Sequence, residues 1–323
     1  MSRAAGLALG FLADQVLGDP ARFHPVAGFG QVAGRLERHL YADSRARGAA
    51  YWLLLVGTTT AAGAVVERST RHRPVLHTLT TAAATWAVLG GRSLDREAAA
   101  VEDLLHRDLP AARIRLTHLV GRDTRTLDES GVARAVVESV AENTSDAVVS
   151  SLVLGAVAGV PGLLGHRAAN TLDAMVGHRS VRYRSFGWAS ARADDVLNLP
   201  GSRLSAALAV TLGADPRAAL AAWRRDAPAH PSPNAGPVEA AFAGSLGLTL
   251  GGTNVYGDPG QQQAEDRAPL GTGRAPVAGD VGRARLLARK VDLGALGLVV
   301  AVNSLSRAGR RARARPGRPR RSP

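Results

Sequence analysis

The stretch AVVESVAENTSDAVVSSLVLGAVAGVPGLLGH, Ala135–His166, joins an acidic segment to a long apolar run. Glu138, Glu142 and Asp146 recur every four residues, so a helix would place their carboxylates on one face. The stretch contains no lysine or arginine, and like charges at this spacing destabilise a helix by about 0.2–0.5 kcal/mol per pair. A solvated acidic face usually carries interleaved lysine or arginine, so a bound cation explains the pattern equally well.

Long uncharged segments predict the fold class. Three segments of 18 to 20 residues contain no charged residue: 48–66, 74–91 and 147–166. About 20 apolar residues cross the ~30 Å hydrocarbon core of a bilayer. Shorter uncharged runs, of the kind buried inside a helix bundle, lie at 4–13, 204–214 and 293–306. No alternating strand pattern persists, so we predict an all-α, polytopic membrane bundle; a soluble protein with Ala-rich core helices is the alternative.

The third uncharged run raises a geometric problem, because polar clusters flank it on both sides. If 147–166 crossed the bilayer completely, those clusters would face opposite sides and could not share a site. Glycine and proline weaken it as a simple spanning helix, at Gly155, Gly159, Pro161, Gly162 and Gly165. We therefore predict a broken or re-entrant segment buried in protein, with the carboxylates facing an internal cavity.

The net charge of +13 is concentrated at one end of the chain. Eight arginines and no acid lie in residues 307–323, which leaves about +5 on the body. We predict a single domain over 1–306 and a disordered Arg-rich tail over 307–323. Such a tail suits an anionic membrane surface at least as well as nucleic acid, and we predict no nucleic-acid partner. The chain has no cysteine, which excludes disulfides and thiolate ligands.

Three further polar clusters interrupt the apolar framework. LGDPARFHPVAGFG places Asp19 and His24 in a Gly/Pro turn, where a helix stop is the simpler explanation. The segment after the third uncharged run pairs Asn170 with Asp173 and then repeats that chemistry at Asp194, Asp195 and Asn198. Arginines between these pairs could hold an anion, or the segment is a charged loop with local ion pairs.

The last cluster, HPSPNAGPVEAAFAGSLGLTLGG, fixes a Pro-rich loop and then starts a helix near Asn234. The glycines that follow could bring backbone N–H groups close to phosphate, or could form a flexible loop. No Walker-type, G-x-S-x-G or H-E-x-x-H motif occurs in the sequence, so any nucleotide is bound in another way.

Taken together and in this order, the clusters resemble the CobD/CbiB family of cobalamin biosynthesis, the adenosylcobinamide-phosphate synthases. The resemblance covers residues 7–304 and is most specific in GRDT…LDE…VESVAENTSDAVVS, GVPGLLGHRAANTLDAMVGHR and HPSPNAG…EAAFAGSLG. Ser151 stands where the family commonly has proline, and HPSPNAG lacks the tryptophan that usually follows. No carboxylate or amide of the motifs is lost.

The resemblance implies a multi-pass enzyme of the cell inner membrane, with its active-site loops on the cytoplasmic side. It implies an amide-forming ligase that joins a corrin side-chain carboxylate of adenosylcobyric acid to aminopropanol or its O-phosphate, giving adenosylcobinamide or its phosphate. ATP is the implied co-substrate and Mg²⁺ the implied cofactor; the lipid bilayer is a further partner, and a homo-oligomer is compatible with the family. A membrane transporter or a non-catalytic scaffold for corrin enzymes is the alternative.

Carried onto this sequence, the resemblance gives two sets of candidate residues. Candidates to hold the metal or to deprotonate the amine are Glu138, Glu142, Asp146, Asp173, Asp194 and Asp195, with Glu142, Asp146 and Asp173 as the predicted metal ligands. Candidates to bind the substrates are His24, Arg122, Asn143, Asn170, Arg179, Arg182, Arg184, His230, Ser232, Asn234 and Glu239.

Overall fold

A computed structural model describes residues 2–20, 24–178, 180–256 and 263–313. The helices are α1 (Ser2–Leu17), α2 (Pro25–Leu40), α3 (Arg45–Thr70), α4 (Pro74–Val88), α5 (Gly91–Leu105), α6 (Leu109–Leu116), α7 (Glu129–Asn143), α8 (Ser150–Ala158), α9 (Val160–Leu172), α10 (Tyr183–Phe186), α11 (Trp188–Leu212), α12 (Pro216–Asp226), α13 (Ala235–Leu246) and α14 (Ala278–Arg313). Short π-helical segments follow α7 at Thr144–Val149 and α9 at Asp173–Gly177. The fold is therefore nearly all-α, as predicted.

Local sequence signals explain where many of these helices begin. Ser44, Asp108, Asp128 and Asp215 each precede a helix and accept a hydrogen bond from a backbone N–H of its first turn. Such caps satisfy donors that have no partner within the helix. Proline in the first turn of α2, α4, α6 and α12 removes a further donor and presets the backbone angle.

The centre of the molecule is formed by α7 and α13. Every residue of α13 is buried, and α7 is buried continuously from Ala135 to Ala141. Both helices are rich in alanine, valine and glycine, so neighbouring helices approach them closely on all sides. A helix that is apolar all round must be enclosed by other elements, and here α5, α11, α12 and α14 supply that cover.

The third uncharged run is broken, as predicted. It forms α8 and α9, which pack against each other and reverse the chain at Gly159, where φ is +75°. The N–H of Val160 donates to Glu67 Oε2 at 3.1 Å, and Arg3 pairs with the same carboxylate at 2.6 Å. A Cβ on Gly159 would lie 2.6 Å from Glu67 Oε2, so this close turn requires glycine.

The prediction of a polytopic membrane bundle is not confirmed. Within the described ranges, α3 is the one helix long and apolar enough to cross a membrane. Only 22% of its apolar window is buried, unlike the core helix of a soluble protein. The second uncharged run forms α4, which has 15 residues, and the third is divided between two helices.

Two predictions about local structure need correction. An antiparallel hairpin, β1 (Leu250–Tyr256) and β2 (Gln263–Leu270), follows α13, although the sequence showed no strand pattern. Apolar residues at Val101, Leu104, Leu105 and Leu109 favour one amphipathic helix over residues 94–128, but this stretch forms α5 and α6, divided at Asp108, whose side chain caps the second helix. Helix α14 continues to Arg313 and residues 314–323 lie outside the described ranges, so the disorder of the Arg-rich tail stays a prediction.

Candidate functional site

The reversal at Gly159 brings the acids on either side of the apolar run together. Asp146 lies in the π segment after α7, Asp173 in the π segment after α9, and Asp194 in α11. The charges of Glu142, Asp173 and Asp194 all act on Asp146, which shows that four carboxylates from three segments share one region. The acidic clusters therefore lie on the same side of the fold. Single-turn π segments inside α-helices frequently occur at functional sites.

These carboxyls hold their protons more tightly than free aspartate does. Burial raises the pKa of Asp173 to about 6, and the charges of Asp195 and Glu142 add to the shift. Burial also raises the pKa of Asp194 to about 7, with Asp173 as the next cause. Oδ1 of Asp146 and Oδ1 of Asp194 are both buried without a hydrogen-bond partner. Such groups cost free energy unless a proton or a cation satisfies them.

A hydrogen-bonded chain orients Asp194. Asn198 Nδ2 donates to Asp194 Oδ2 at 2.8 Å, and Asn198 Oδ1 lies 2.8 Å from His166 Nε2. An amide oxygen only accepts, so His166 carries its proton on Nε2 and its Nδ1 accepts from the Ser151 hydroxyl at 3.1 Å. Burial lowers the pKa of His166 to about 4, which keeps the ring neutral. Neither His166 nor Ser151 was among the predicted site residues, because fifteen residues separate them along the chain.

Glu138 has a different environment from the other acids. Its Oε2 accepts from Arg122 Nη2 at 2.6 Å, and its Oε1 accepts from the N–H of Gly251 at 2.9 Å. Arg122 also donates to Asn254 Oδ1 at 2.6 Å. Both members of this ion pair are buried. Glu138 and Arg122 thus satisfy each other and attach β1 to α7, beside the region where the other carboxylates meet.

A polar cavity of about 130 Å³ opens next to this ion pair. Its walls include Arg122, Ser139 and Glu142 from the α7 side, and Tyr256 and Arg267 from the hairpin. Burial raises the pKa of Glu142, while the positive charges of Arg267 and Arg122 oppose the shift. Tyr256 and Arg267 were not among the predicted site residues, since only the hairpin brings them to α7.

The HPSPN cluster forms a loop before α13 in which His230 and Asn234 are buried and both prolines are exposed. Ser232 Oγ accepts from the N–H groups of Asn234 and Ala235, and Asn234 Nδ2 donates to the carbonyl of Asp195 at 2.8 Å. His230 Nε2 lies 3.7 Å from Glu239 Oε2, and neither Glu239 oxygen has a hydrogen-bond partner. Burial and the charges of Glu138 and Glu142 raise the pKa of Glu239. Ser232 and Asn234 therefore position the loop, while Glu239 faces the acidic region.

Arg167, in α9, is an arginine close to the acids. The negative charges of Asp19, Asp14 and Asp146 act on the Arg167 guanidinium. The Arg167 side chain also lines a mostly apolar cavity of about 140 Å³. Asn170 accepts from Arg167 Nη1 at 3.4 Å and lies beside Asp194. Neither Arg167 nor Asp14 was among the predicted site residues.

The remaining candidates are farther from the acids or serve local structure. His24 Nδ1 accepts from the N–H of Val26 at the start of α2, and its Nε2 lies 3.2 Å from Asp19 Oδ1. Asn143 donates to the Ser139 carbonyl. Arg182 is exposed, pairs with Glu37 at 3.0 Å and stacks on Tyr41. The exposed side chain of Arg184 lies in the same segment, and Arg179 lies outside the described ranges.

A metal site is not preassembled in the parts of the chain that the structure describes, because no three His, Asp or Glu side chains there form a ready ligand set. The donor chemistry nevertheless fits Mg²⁺. Asp146 and Asp194 each present a buried carboxylate oxygen without a partner, and mutual repulsion among the acids favours a cation.

Fold and site together define a nearly all-α protein with an internal cluster of protonatable carboxylates next to a small polar cavity. Residues 7–288 match the model of the CobD/Cbib protein family. The chain is 50% identical over 305 residues to the cobalamin biosynthesis protein CobD of Mycobacterium tuberculosis (strain ATCC 25618 / H37Rv), covering 93% of this chain and 95% of the relative.

The relative of the same name from Chromobacterium violaceum is 43% identical, over 94% of this chain and 98% of its own length. That from Geobacter metallireducens is 47% identical, over 76% of this chain and 80% of its own length. No solved structure matches the chain. The chain therefore belongs to the CobD/CbiB family of cobalamin biosynthesis proteins, as the sequence motifs predicted, and a role in that pathway implies corrinoid substrates.

Proposed function

We propose that the protein is an ATP- and Mg²⁺-dependent ligase that joins a corrin side-chain carboxylate to aminopropanol or its O-phosphate. The observation that carries this proposal is the convergence of Glu142, Asp146, Asp173 and Asp194, from three segments of the chain, around buried carboxylate oxygens without partners. A protein that only held other enzymes in place would need no such costly group of acids.

Amide formation from a carboxylate requires activation. In the proposed reaction, a corrin carboxylate oxygen attacks the γ-phosphorus of ATP, ADP leaves, and an acyl phosphate forms. A base then removes one proton from the substrate ammonium, the amine nitrogen attacks the acyl carbon, and inorganic phosphate leaves carrying the second proton lost from the nitrogen. Mg²⁺, when bound, would neutralise phosphate oxygens, and Asp146, whose Oδ1 lacks a partner, is suited to hold it together with Asp173, whose charge acts on Asp146.

The raised pKa values suit the proton transfer. A general base works best when its pKa lies near the working pH, and burial raises the pKa of Asp194 to about 7. The chain through Asn198 and neutral His166 fixes the direction in which that carboxyl points. Glu142, whose pKa burial also raises, is the corresponding acceptor at the polar cavity.

The membrane remains part of the proposal. Apolar side chains are exposed along α1, α3, α4 and α14, at Leu9, Leu12, Val16, Leu53, Leu54, Val65, Val75, Leu79, Leu293, Leu298 and Val302. Helix α3 is about 39 Å long at 1.5 Å per residue, enough to cross a bilayer. We propose a multi-pass protein of the inner membrane whose site opens to the cytoplasm, where ATP is available.

Two amide substitutions test the ligase. Glu142→Gln and Asp146→Asn keep size and hydrogen bonding but remove charge, so each should reduce turnover with purified corrinoid, amine and ATP by at least a hundredfold. Raising Mg²⁺ should restore part of the activity in at least one of them, because a weakened metal site fills at higher concentration.

The matched control is Glu129→Gln, an exposed glutamate in the first turn of the same helix, and it should retain turnover within twofold. Near-normal turnover in both site variants would show that Glu142 and Asp146 have a structural role and no catalytic one. Absence of turnover in the unmodified protein would favour transport or scaffolding instead.

A further inference from the structure

The β-hairpin is held in a defined position on α7. Arg134 donates to the carbonyl of Gly251, and Glu138, one turn later on α7, accepts from the N–H of the same residue. Arg122 adds the bond to Asn254. Gly251 itself has φ of +84°, and the backbone approaches α7 closely there. The hairpin therefore brings its own side chains to the polar cavity in a fixed arrangement.

Arg267 on β2 carries unused hydrogen-bonding capacity. Its side chain is 17% exposed and its Nη2 donates to the Tyr256 hydroxyl at 3.0 Å. Its Nε is buried without a hydrogen-bond partner, and the nearest carboxylate oxygen, from half-exposed Glu265, is 3.5 Å away. Guanidinium offers five N–H donors in a fork that matches phosphate, so this side chain has donors available for an anion.

Tyr256 supplies a second hydrogen-bond donor beside Arg267. Its hydroxyl oxygen accepts from Arg267, which leaves the hydroxyl proton for another acceptor. Both side chains line the cavity of about 130 Å³, so they can present donors to one ligand.

Charged side chains of both signs line the cavity. Glu138 already neutralises Arg122 through a bond of 2.6 Å, whereas Arg267 has a looser ion pair, 3.5 Å from Nε to a carboxylate oxygen of half-exposed Glu265. Glu142 lines the same cavity, near enough for its charge and that of Arg267 to interact. A ligand with a phosphate at one end and an ammonium at the other matches this arrangement.

We propose that the cavity between α7 and the hairpin is a phosphoryl-binding subsite for a small phosphorylated amine. Arg267 and Tyr256 hold the phosphate, and Glu142 faces the ammonium. This assignment deepens the proposed ligase and rests on it. The subsite assigns a binding role to the hairpin, which the family motifs described above do not include.

The size of the cavity favours the amine over the nucleotide. Pockets for drug-sized ligands usually enclose about 300–1,000 Å³. At about 130 Å³ the cavity suits a molecule of few heavy atoms, whereas a whole nucleotide would extend far outside it. Both the phosphorylated amine and ATP carry phosphoryl groups, so the experiment measures the binding of each.

Direct binding tests the subsite without relying on turnover. The full chain, purified in detergent, is titrated calorimetrically with aminopropanol O-phosphate, with inorganic phosphate and with unphosphorylated aminopropanol. Arg267→Gln should raise the Kd for aminopropanol phosphate about 10- to 100-fold, the range expected for loss of charge-assisted hydrogen bonds. Arg267→Lys keeps the charge but not the fork and should fall between, while Tyr256→Phe should raise this Kd several-fold.

The comparison ligands and variants separate the explanations. The Kd for unphosphorylated aminopropanol should change less than twofold in every variant, and so should the KM for ATP. Arg107→Gln, at an exposed arginine on the turn after α5, should leave all values unchanged. A rise confined to the KM for ATP would overturn the assignment to the amine, and a Kd that is the same in all variants would overturn the subsite itself.

The two proposals can fail separately. Arg267-dependent binding of phosphate in a protein without turnover would refute the ligase and keep the anion site. Turnover together with a Kd for aminopropanol phosphate that does not depend on Arg267 would refute the subsite and leave the ligase proposal intact.

Discussion

Asp194→Asn should raise stability and abolish activity at the same time. Burial and the charge of Asp173 raise the pKa of Asp194 from the ordinary value of 3.8 to about 7 in the folded protein. One pKa unit corresponds to 1.36 kcal/mol, so ionising this buried carboxyl costs the folded state on the order of 4 kcal/mol. Asparagine removes that cost and can still accept the hydrogen bond from Asn198, at a loss of about 1 kcal/mol for the weaker bond.

The stability gain depends on pH in a defined direction. Between pH 3.8 and about 7 the folded protein keeps a proton on Asp194 that the unfolded chain has released, so the stability of the unmodified protein falls as pH rises through this window. The variant does not titrate there. Its advantage should be small at pH 4, grow through pH 5 and 6, and level off above pH 7 at about 2–3 kcal/mol.

Thermal unfolding in detergent with a metal chelator, from pH 5 to pH 8, measures this difference. For a chain of 323 residues each kcal/mol shifts the Tm by about 1.5 °C, so a rise of several degrees is expected at pH 8. Asp103→Asn, at a carboxylate whose side chain is 73% exposed, is the matched control and should show no pH-dependent gain. A variant that is less stable than the unmodified protein at pH 8, or a gain that does not vary with pH, would refute the reasoning.

Three further predictions concern the membrane and the framework around the site. Alkaline carbonate should leave the protein in the membrane pellet, because several helices expose apolar side chains; release into the supernatant would count against insertion. Gly159→Ala should lower the free energy of unfolding by about 1–3 kcal/mol in a denaturant titration, since the turn has positive φ and an added Cβ meets Glu67. An unchanged midpoint there would contradict the need for glycine. Glu138→Gln should cost about 3–5 kcal/mol by the same measurement, because it leaves the buried charge of Arg122 unpaired. Adding Arg122→Gln should recover part of that loss, and a double variant less stable than the single one would show that the ion pair is not the cause.

The sequence by itself determined the parts of this protein that depend on near neighbours. Side chains such as Asp128 cap helices by accepting a hydrogen bond from the backbone three residues away, so the start of α7 can be predicted from the local sequence. Glycine and proline within 147–166 indicated that the run could not form one helix, and the chain does break at Gly159. The motifs around Glu142 and Asp173 were specific enough to predict the family, because no packing requirement explains so many polar residues in that order.

Tertiary structure alone decided which residues share a site. The equal spacing of Glu138, Glu142 and Asp146 predicted that their carboxylates share one helix face. In the structure, Glu138 forms an ion pair with Arg122, while Asp146 interacts with Asp173 and Asp194. The π segment after α7 changes the helical register between Glu142 and Asp146, and the reversal at Gly159 brings in the other acids.

The position of the hairpin against α7 also could not be predicted from the local sequence. Arg267 is separated from Glu142 by more than a hundred residues, and its strand carries no alternating apolar pattern, since the hairpin is held by polar bonds to α7. Local periodicity reports which face of an element is buried, but it carries no information on which distant charge will lie opposite. That depends on how the chain reverses and on which long-range pairs satisfy each other, and both are properties of the folded molecule.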